Sequence, residues 1–120
     1  MRSYFVIIAI LPVLLAAPHG ARAHAMLDHA NPPVGSTAPS PPPEVTLWFT
    51  EALEPAFSQA EVHGPSGAIV STKARVDQAE RTQLHVPLKR LGPGDYRVDW
   101  HVLSVDTHRT EGSFIFRVGP

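Results

Sequence analysis

Two stretches of this 120-residue chain combine metal-capable side chains at spacings that can do chemistry. The first is Ser104-Val105-Asp106-Thr107-His108. In an extended segment, residues two apart face the same side. Asp106 and His108 would then present a carboxylate oxygen and an imidazole nitrogen to one point. The second is His24, which directly follows Ala21-Arg22-Ala23, with small residues one and three positions before a cleavable bond. Cleavage after Ala23 would make His24 the first residue. Its free α-amine and its imidazole Nδ1 can then close a six-membered chelate ring on one metal ion. Nitrogen donors of this kind suit copper best among the common divalent ions. Taken together, His24, Asp106 and His108 offer three nitrogens and one oxygen, a set suited to tetragonal Cu(II). Plainer readings of the same residues stand beside this one: some residue must follow every cleavage site, Asp106 can cap a turn, and His108 can hydrogen-bond locally.

The region before His24 has the three parts of an export signal. Arg2 gives a positive start, Tyr4 to Ala17 is an apolar run broken only by Pro12, and Ala21-Arg22-Ala23 supplies the small residues. The apolar run is shorter than the roughly 20 residues a membrane-crossing helix needs. Residues 1–23 are therefore expected to be a cleaved leader, and residues 24–120 one small exported domain. After the leader, eight basic and eleven acidic residues remain, a net charge of −3. The basic residues are spread between Lys73 and Arg117 rather than gathered in a patch, which argues against nucleic-acid binding. There is no cysteine. Disulfides, cysteine zinc sites, thiol nucleophiles and a lipid-modified N-terminal cysteine are all excluded.

The elements that must position these residues read as strands. Thirteen prolines and eight glycines leave little room for long helices. Asp28 to Glu44, rich in Pro, Ser, Gly and Thr, is extended or turning. Val45, Leu47 and Phe49 then alternate with Thr46, Trp48 and Thr50, the period of a half-buried strand. Glu51 to Ser58 allows at most one helical turn before Pro55 ends it. Ala60 to His63 and Ala68 to Thr72, joined by Gly64-Pro65-Ser66-Gly67, predict a hairpin. Gln83 to Pro87 predicts a further strand. Leu91-Gly92-Pro93-Gly94 turns into an alternating run at Tyr96, Val98, Trp100 and Val102, and Phe114, Phe116 and Val118 mark the last strand. About seven short strands predict an all-β fold, a small seven-stranded Greek-key barrel or sandwich. The tryptophans and phenylalanines are expected to be packing rather than a ligand pocket.

With these blocks in view, the chain resembles the copper-resistance protein CopC family. The resemblance is carried by His24-Ala25-Met26-Leu27, Asn31-Pro32 and Gly35, and by Leu47-Trp48-Phe49-Thr50-Glu51. It continues in Gly94-Asp95-Tyr96-Arg97-Val98-Asp99-Trp100 and in Ser104-Val105-Asp106-Thr107-His108, followed by Gly112, Phe114, Phe116 and Val118. It implies a β-barrel of immunoglobulin- or cupredoxin-like topology and one Cu(II) per chain, held by His24 (amine and imidazole), Asp106 and His108. Glu51 matches a family glutamate near this site, a weak extra ligand or a hydrogen-bond acceptor beside it. Some family members also carry a methionine-rich segment for Cu(I). Here Glu61 to Thr82 contains no methionine, and Met26 is the one left after cleavage, so the chain resembles a Cu(II)-only branch. The function expected on this basis is a periplasmic copper carrier, buffer or donor in copper resistance or homeostasis; a monomer, with an inner-membrane copper transporter as a partner, is also expected. No apolar span follows before Pro120, so fusion to such a transporter is not expected.

Two other classes use the same residues. An N-terminal histidine plus a second one also forms the brace of copper monooxygenases, which need an open coordination position. Asp106 would block that position, and the expected domain is small for gripping a polymer, so no enzyme is expected. A metal-free β-sandwich interaction module is the third class, since such a fold hosts many functions. His29 lies close enough to His24 in sequence to approach the metal, but it is expected at the solvent-exposed surface. His63, His85 and His101 are expected to be structural or solvated.

Overall fold

The computed structural model describes residues 2–4, 9 and 25–120. His24 and most of the expected leader lie outside the described residues. Within them, no helix is long and apolar enough to cross a membrane.

The described residues fold as eight strands in two sheets. These are β1 (Leu27–Asn31), β2 (Thr37–Ala38), β3 (Glu44–Phe49), β4 (Gln59–His63), β5 (Arg75–Val76), β6 (Gln83–Pro87), β7 (Gly94–Leu103) and β8 (Arg109–Val118). One sheet runs β1-β3-β6-β5 and the other β2-β8-β7-β4. The expected all-β sandwich is correct. The seventh-strand count is exceeded because two of the eight, β2 and β5, are only two residues long.

The alternating runs go where their period sends them. Val45, Leu47 and Phe49 of β3 are buried, as are Tyr96, Val98, Trp100 and Val102 of β7 and Phe114, Phe116 and Val118 of β8. Fully burying a side chain such as Phe116 contributes about 1.5–3 kcal/mol, so these positions hold the two sheets together. Pro55–Phe57 forms the single 3-10 turn that Glu51 to Ser58 allowed. The predicted turn at Gly64–Gly67 is present, with Gly64 N–H donating to Ala68 O at 2.8 Å and Gly67 N–H to Gly64 O at 2.9 Å. Its return arm is not a full strand. It is joined through the isolated bridges His63↔Ile69 and Ser71↔Leu88.

The beginning of the Asp28–Glu44 stretch is more ordered than its composition suggested. It forms most of β1, antiparallel to β3 with Ala30 opposite Leu47, and later Thr37–Ala38 adds to β8 in parallel.

The end of the molecule that carries Asp106 and His108 is set by the pairing of β7 with β8. These strands pair without interruption from Gly94↔Val118 to Leu103↔Arg109. Trp100 lies opposite Gly112, and its ring also meets Phe49 edge-on with centroids 5.1 Å apart. A Cβ placed on Gly112 would lie 2.5 Å from Trp100 Cζ2 and 2.8 Å from Cε2. The ring is buried and rigid, so it cannot give way cheaply. Gly112→Ala is therefore expected to destabilise the domain by about 1–3 kcal/mol through overpacking, read as a lower urea midpoint at an unchanged slope. An unchanged midpoint would show that the ring has room to move.

Candidate metal centre

Asp106 and His108 sit on the loop that closes the β7–β8 hairpin. Ser104 N–H donates to His108 O at 3.0 Å, and Thr107 N–H donates to Ser104 O at 2.9 Å. Thr107 has φ of 71°, in the left-handed region. Together these describe a tight three-residue hairpin loop ending in a left-handed residue. Glycine is the usual occupant of that position, and a β-branched residue there is strained.

This loop brings the two predicted donors together, though not by the route the sequence suggested. The segment is a turn, not a strand, so side-chain alternation does not operate. Their meeting depends on the turn. Asp106 Oδ2 lies 3.2 Å from His108 Nδ1. On the other side, the Ser104 hydroxyl donates to Asp106 Oδ1. Ser104 is fully buried, which fixes the carboxylate from beneath. That hydrogen bond is the main reason the Asp106 carboxyl is held below its usual range. Partial burial opposes it, and His108 adds to it.

Asp106 Oδ2 itself is shielded from water and faces His108 Nδ1 without a well-formed hydrogen bond. A buried carboxylate oxygen without a good hydrogen bond is costly. Placed beside an imidazole nitrogen, this oxygen is a place where a cation would be held by an oxygen and a nitrogen donor. The donor chemistry therefore fits a borderline divalent metal such as Cu(II). Among the described residues, no group of three or more His, Asp or Glu side chains is gathered closely enough to hold a metal alone. The loop supplies a pair, and a full set needs a donor from elsewhere.

Two further segments converge on this loop. Ala52 O accepts from Val105 N–H at 3.0 Å, Glu54 N–H donates to Leu103 O at 2.8 Å, and Leu53 bridges to Ser104. Glu51, half-buried, stands at the start of this brace. Its neighbour Thr50 holds Met26 from both sides: Met26 N–H donates to Thr50 Oγ1 and Thr50 N–H to Met26 O, each at 2.9 Å. Ala25 is fully buried, and its carbonyl accepts from Thr110 Oγ1 at 2.7 Å. Thr110 lies two residues past His108. The residue joined directly to His24 is thus tied beside the loop that carries Asp106 and His108. Sequence reading did not single out Thr110 or Thr50, because threonines in or beside strands are ordinary and nothing local points to partners 85 and 24 positions away.

The other histidines have local roles. The His29 ring stacks on Trp48, with centroids 4.3 Å apart and an interplanar angle of 9°, and His29 Nδ1 meets Asp28 Oδ2 at 2.6 Å. His85 lies between Glu44 Oε1 at 3.1 Å and Asp77 Oδ1 at 3.2 Å. Asp77 is held below the usual carboxylate range mainly by the Glu80 N–H, with burial opposing and His85 assisting. His63 Nδ1 meets Gly67 O at 3.2 Å, while Nε2 faces Glu61 and Asp99 at 3.4 Å each. His101 is exposed, across the β7–β8 pair from Glu111.

Two outcomes follow for the copper-free protein. Because Asp106 is depressed in the folded state, it stabilises the fold above its unfolded pKa of about 3.9. That contribution is lost as pH falls through the lower folded value. Asp106→Asn should thus be less stable than the parent at pH 7, with the gap closing below about pH 3.9, as followed by thermal unfolding across pH. A gap that persists at pH 2 would assign the loss to packing instead. Thr107→Gly should raise stability by about 0.5–1 kcal/mol by relieving the left-handed backbone, net of glycine's added chain entropy. A fall in stability would show that the Thr107 side chain contributes more than its backbone costs.

Comparison with known proteins places this geometry in a family. Residues 27–119 match the family profile described as the CopC domain. Protein YobA of Escherichia coli (strain K12) is 40% identical over 119 residues, covering 98% of this chain and 95% of that protein. CopC from Methylosinus trichosporium OB3b superposes with a TM-score of 0.77 at 31% identity, covering 81% of this chain and 95% of that one. PcoC, described as a methionine-rich copper resistance protein from Escherichia coli, superposes with a TM-score of 0.70 at 30% identity, covering 80% and 99%. A profile match across nearly the whole sandwich, relatives of matching length and the same fold together lead to one conclusion: the chain belongs to the CopC family.

Proposed function

We propose that this protein is an exported copper carrier or buffer that binds one Cu(II) per chain. The ligands are the α-amine and imidazole of His24, the Asp106 carboxylate and the His108 imidazole, with Glu51 close by as a weak ligand or hydrogen-bond acceptor. Residues 1–23 act as the signal peptide, the processed domain of residues 24–120 works in the periplasm as a monomer, and an inner-membrane copper transporter is its partner. One observation carries the reading. A water-shielded Asp106 oxygen with no well-formed hydrogen bond faces His108 Nδ1 at 3.2 Å, on the loop beside the buried residue that follows His24.

Copper here is cargo, and the action is binding rather than turnover. Asp106 supplies negative charge that survives well into acid, because Ser104 holds it ionised. The two imidazoles and the amine bind only when deprotonated, so acid releases the metal through them. The oxygen and nitrogen donors suit Cu(II). Thioethers, the soft ligands that Cu(I) prefers, are scarce, since Met1 and Met26 are the only methionines in the sequence. PcoC, described as methionine rich, differs from this chain on that point.

The test is a competitive Cu(II) titration of the processed protein against a version with one extra residue before His24. The extension is expected to weaken binding at least tenfold and to lower the nitrogen count in the electron paramagnetic resonance spectrum. Equal affinity for the two forms would remove the terminal amine from the ligand set. Failure of both forms to retain copper after desalting would overturn the proposal altogether.

A further inference from the structure

A chelate that includes a chain terminus has an inherent weakness, because the first residues of a domain fray unless something ties them down. Here the tie is visible. The Thr110 hydroxyl donates to the Ala25 carbonyl at 2.7 Å, Thr50 accepts from and donates to Met26 at 2.9 Å, and Ala25 is fully buried. Thr110 belongs to the face of β8 that carries Gly112, Phe114, Phe116 and Val118, two residues apart along the strand. Valine would fill the same space there. Threonine adds one hydroxyl, and that hydroxyl is spent on the carbonyl next to His24.

We infer that Thr110 is a positioning residue for the metal site: its hydrogen bond to Ala25 holds the start of the chain beside Asp106 and His108 before copper arrives. Thr50 secures the next residue along. The inference rests on the reading of His24 as a ligand and adds a residue to it. The ligand pair and the tie share one strand connection, His108-Arg109-Thr110, so a rigid β8 fixes both at once. The backbone at Ala25 and Met26 is thus fixed without help from copper. Residues that orient metal ligands from behind typically change affinity 10–100-fold when altered.

The experiment compares Cu(II) affinity, dissociation rate and electron paramagnetic resonance spectrum for the processed protein and its Thr110→Val, Thr110→Ser and Thr50→Val variants, with the N-terminally extended protein alongside. Thr110→Val is expected to weaken binding about 10–100-fold, mostly through faster dissociation. It should also give a mixed spectrum in which part of the copper has lost a nitrogen. Thr110→Ser, which keeps the hydroxyl, should restore a single spectrum and near-parental affinity. Thr50→Val should weaken binding in the same direction, and it reports on the tie should Thr110→Val fail to fold. A Thr110→Val protein with a lower unfolding midpoint but parental affinity and spectrum would overturn the inference, leaving the hydroxyl a purely structural role. If the extension weakens binding while neither threonine variant does, the inference falls and the His24 reading stands. If the extension changes nothing, both fall together.

Discussion

The uninterrupted antiparallel register of β7 against β8 is the constraint on which the rest depends. Side chains alternate with a period of two, so a slip of one residue would turn Trp100, Phe114 and Phe116 out of the core. Register is thereby strongly specified by the buried face, and the loop at its end inherits that precision. Asp106, His108 and Thr110 are all fixed by the same ladder: two on the loop, one on the first turn of pleat beyond it. The placement of these three residues is thus a by-product of how well the hydrophobic face packs.

The loop adds a second layer of control. Backbone hydrogen bonds close it, the buried Ser104 fastens the carboxylate, and the Ala52–Glu54 segment braces it from the side. A short, strained turn with a left-handed Thr107 has few alternative conformations to visit. The result is a carboxylate oxygen shielded from water and facing the His108 imidazole, an environment that an ordinary surface aspartate lacks. Its environment, more than its residue type, sets it apart from the other carboxylates.

How much of this could be read from the residues depends on which force set each feature. Alternation in Val45-Leu47-Phe49 and in Tyr96-Val98-Trp100-Val102 is a direct imprint of burial on one face, and those strands were legible. The donor pair at Asp106 and His108 was legible as a pair, but for the wrong geometric reason, since the segment turns instead of extending. β1 was hidden because Leu27-Asp28-His29-Ala30-Asn31 buries only Ala30 fully and is held by pairing with β3 rather than by a clean pattern. β2 was hidden because two residues carry no period. The contact between Thr110 and Ala25 left no local trace, being a long-range hydrogen bond between an unremarked threonine and a backbone carbonyl.

The outer margins of both sheets have a consequence for behaviour in a crowded compartment. An open sheet edge is a template for adding a strand from another molecule, and long flat edges promote aggregation. On this sandwich each margin is blunted differently. β2 and β5 end after two residues, β1 carries a register shift between Leu27 and His29, and β4 is partly capped where Val70 N–H donates to Val62 O at 2.8 Å. None presents a long run of unpaired backbone. A domain edged this way offers neighbouring copies no long template to zip onto, however closely they are packed.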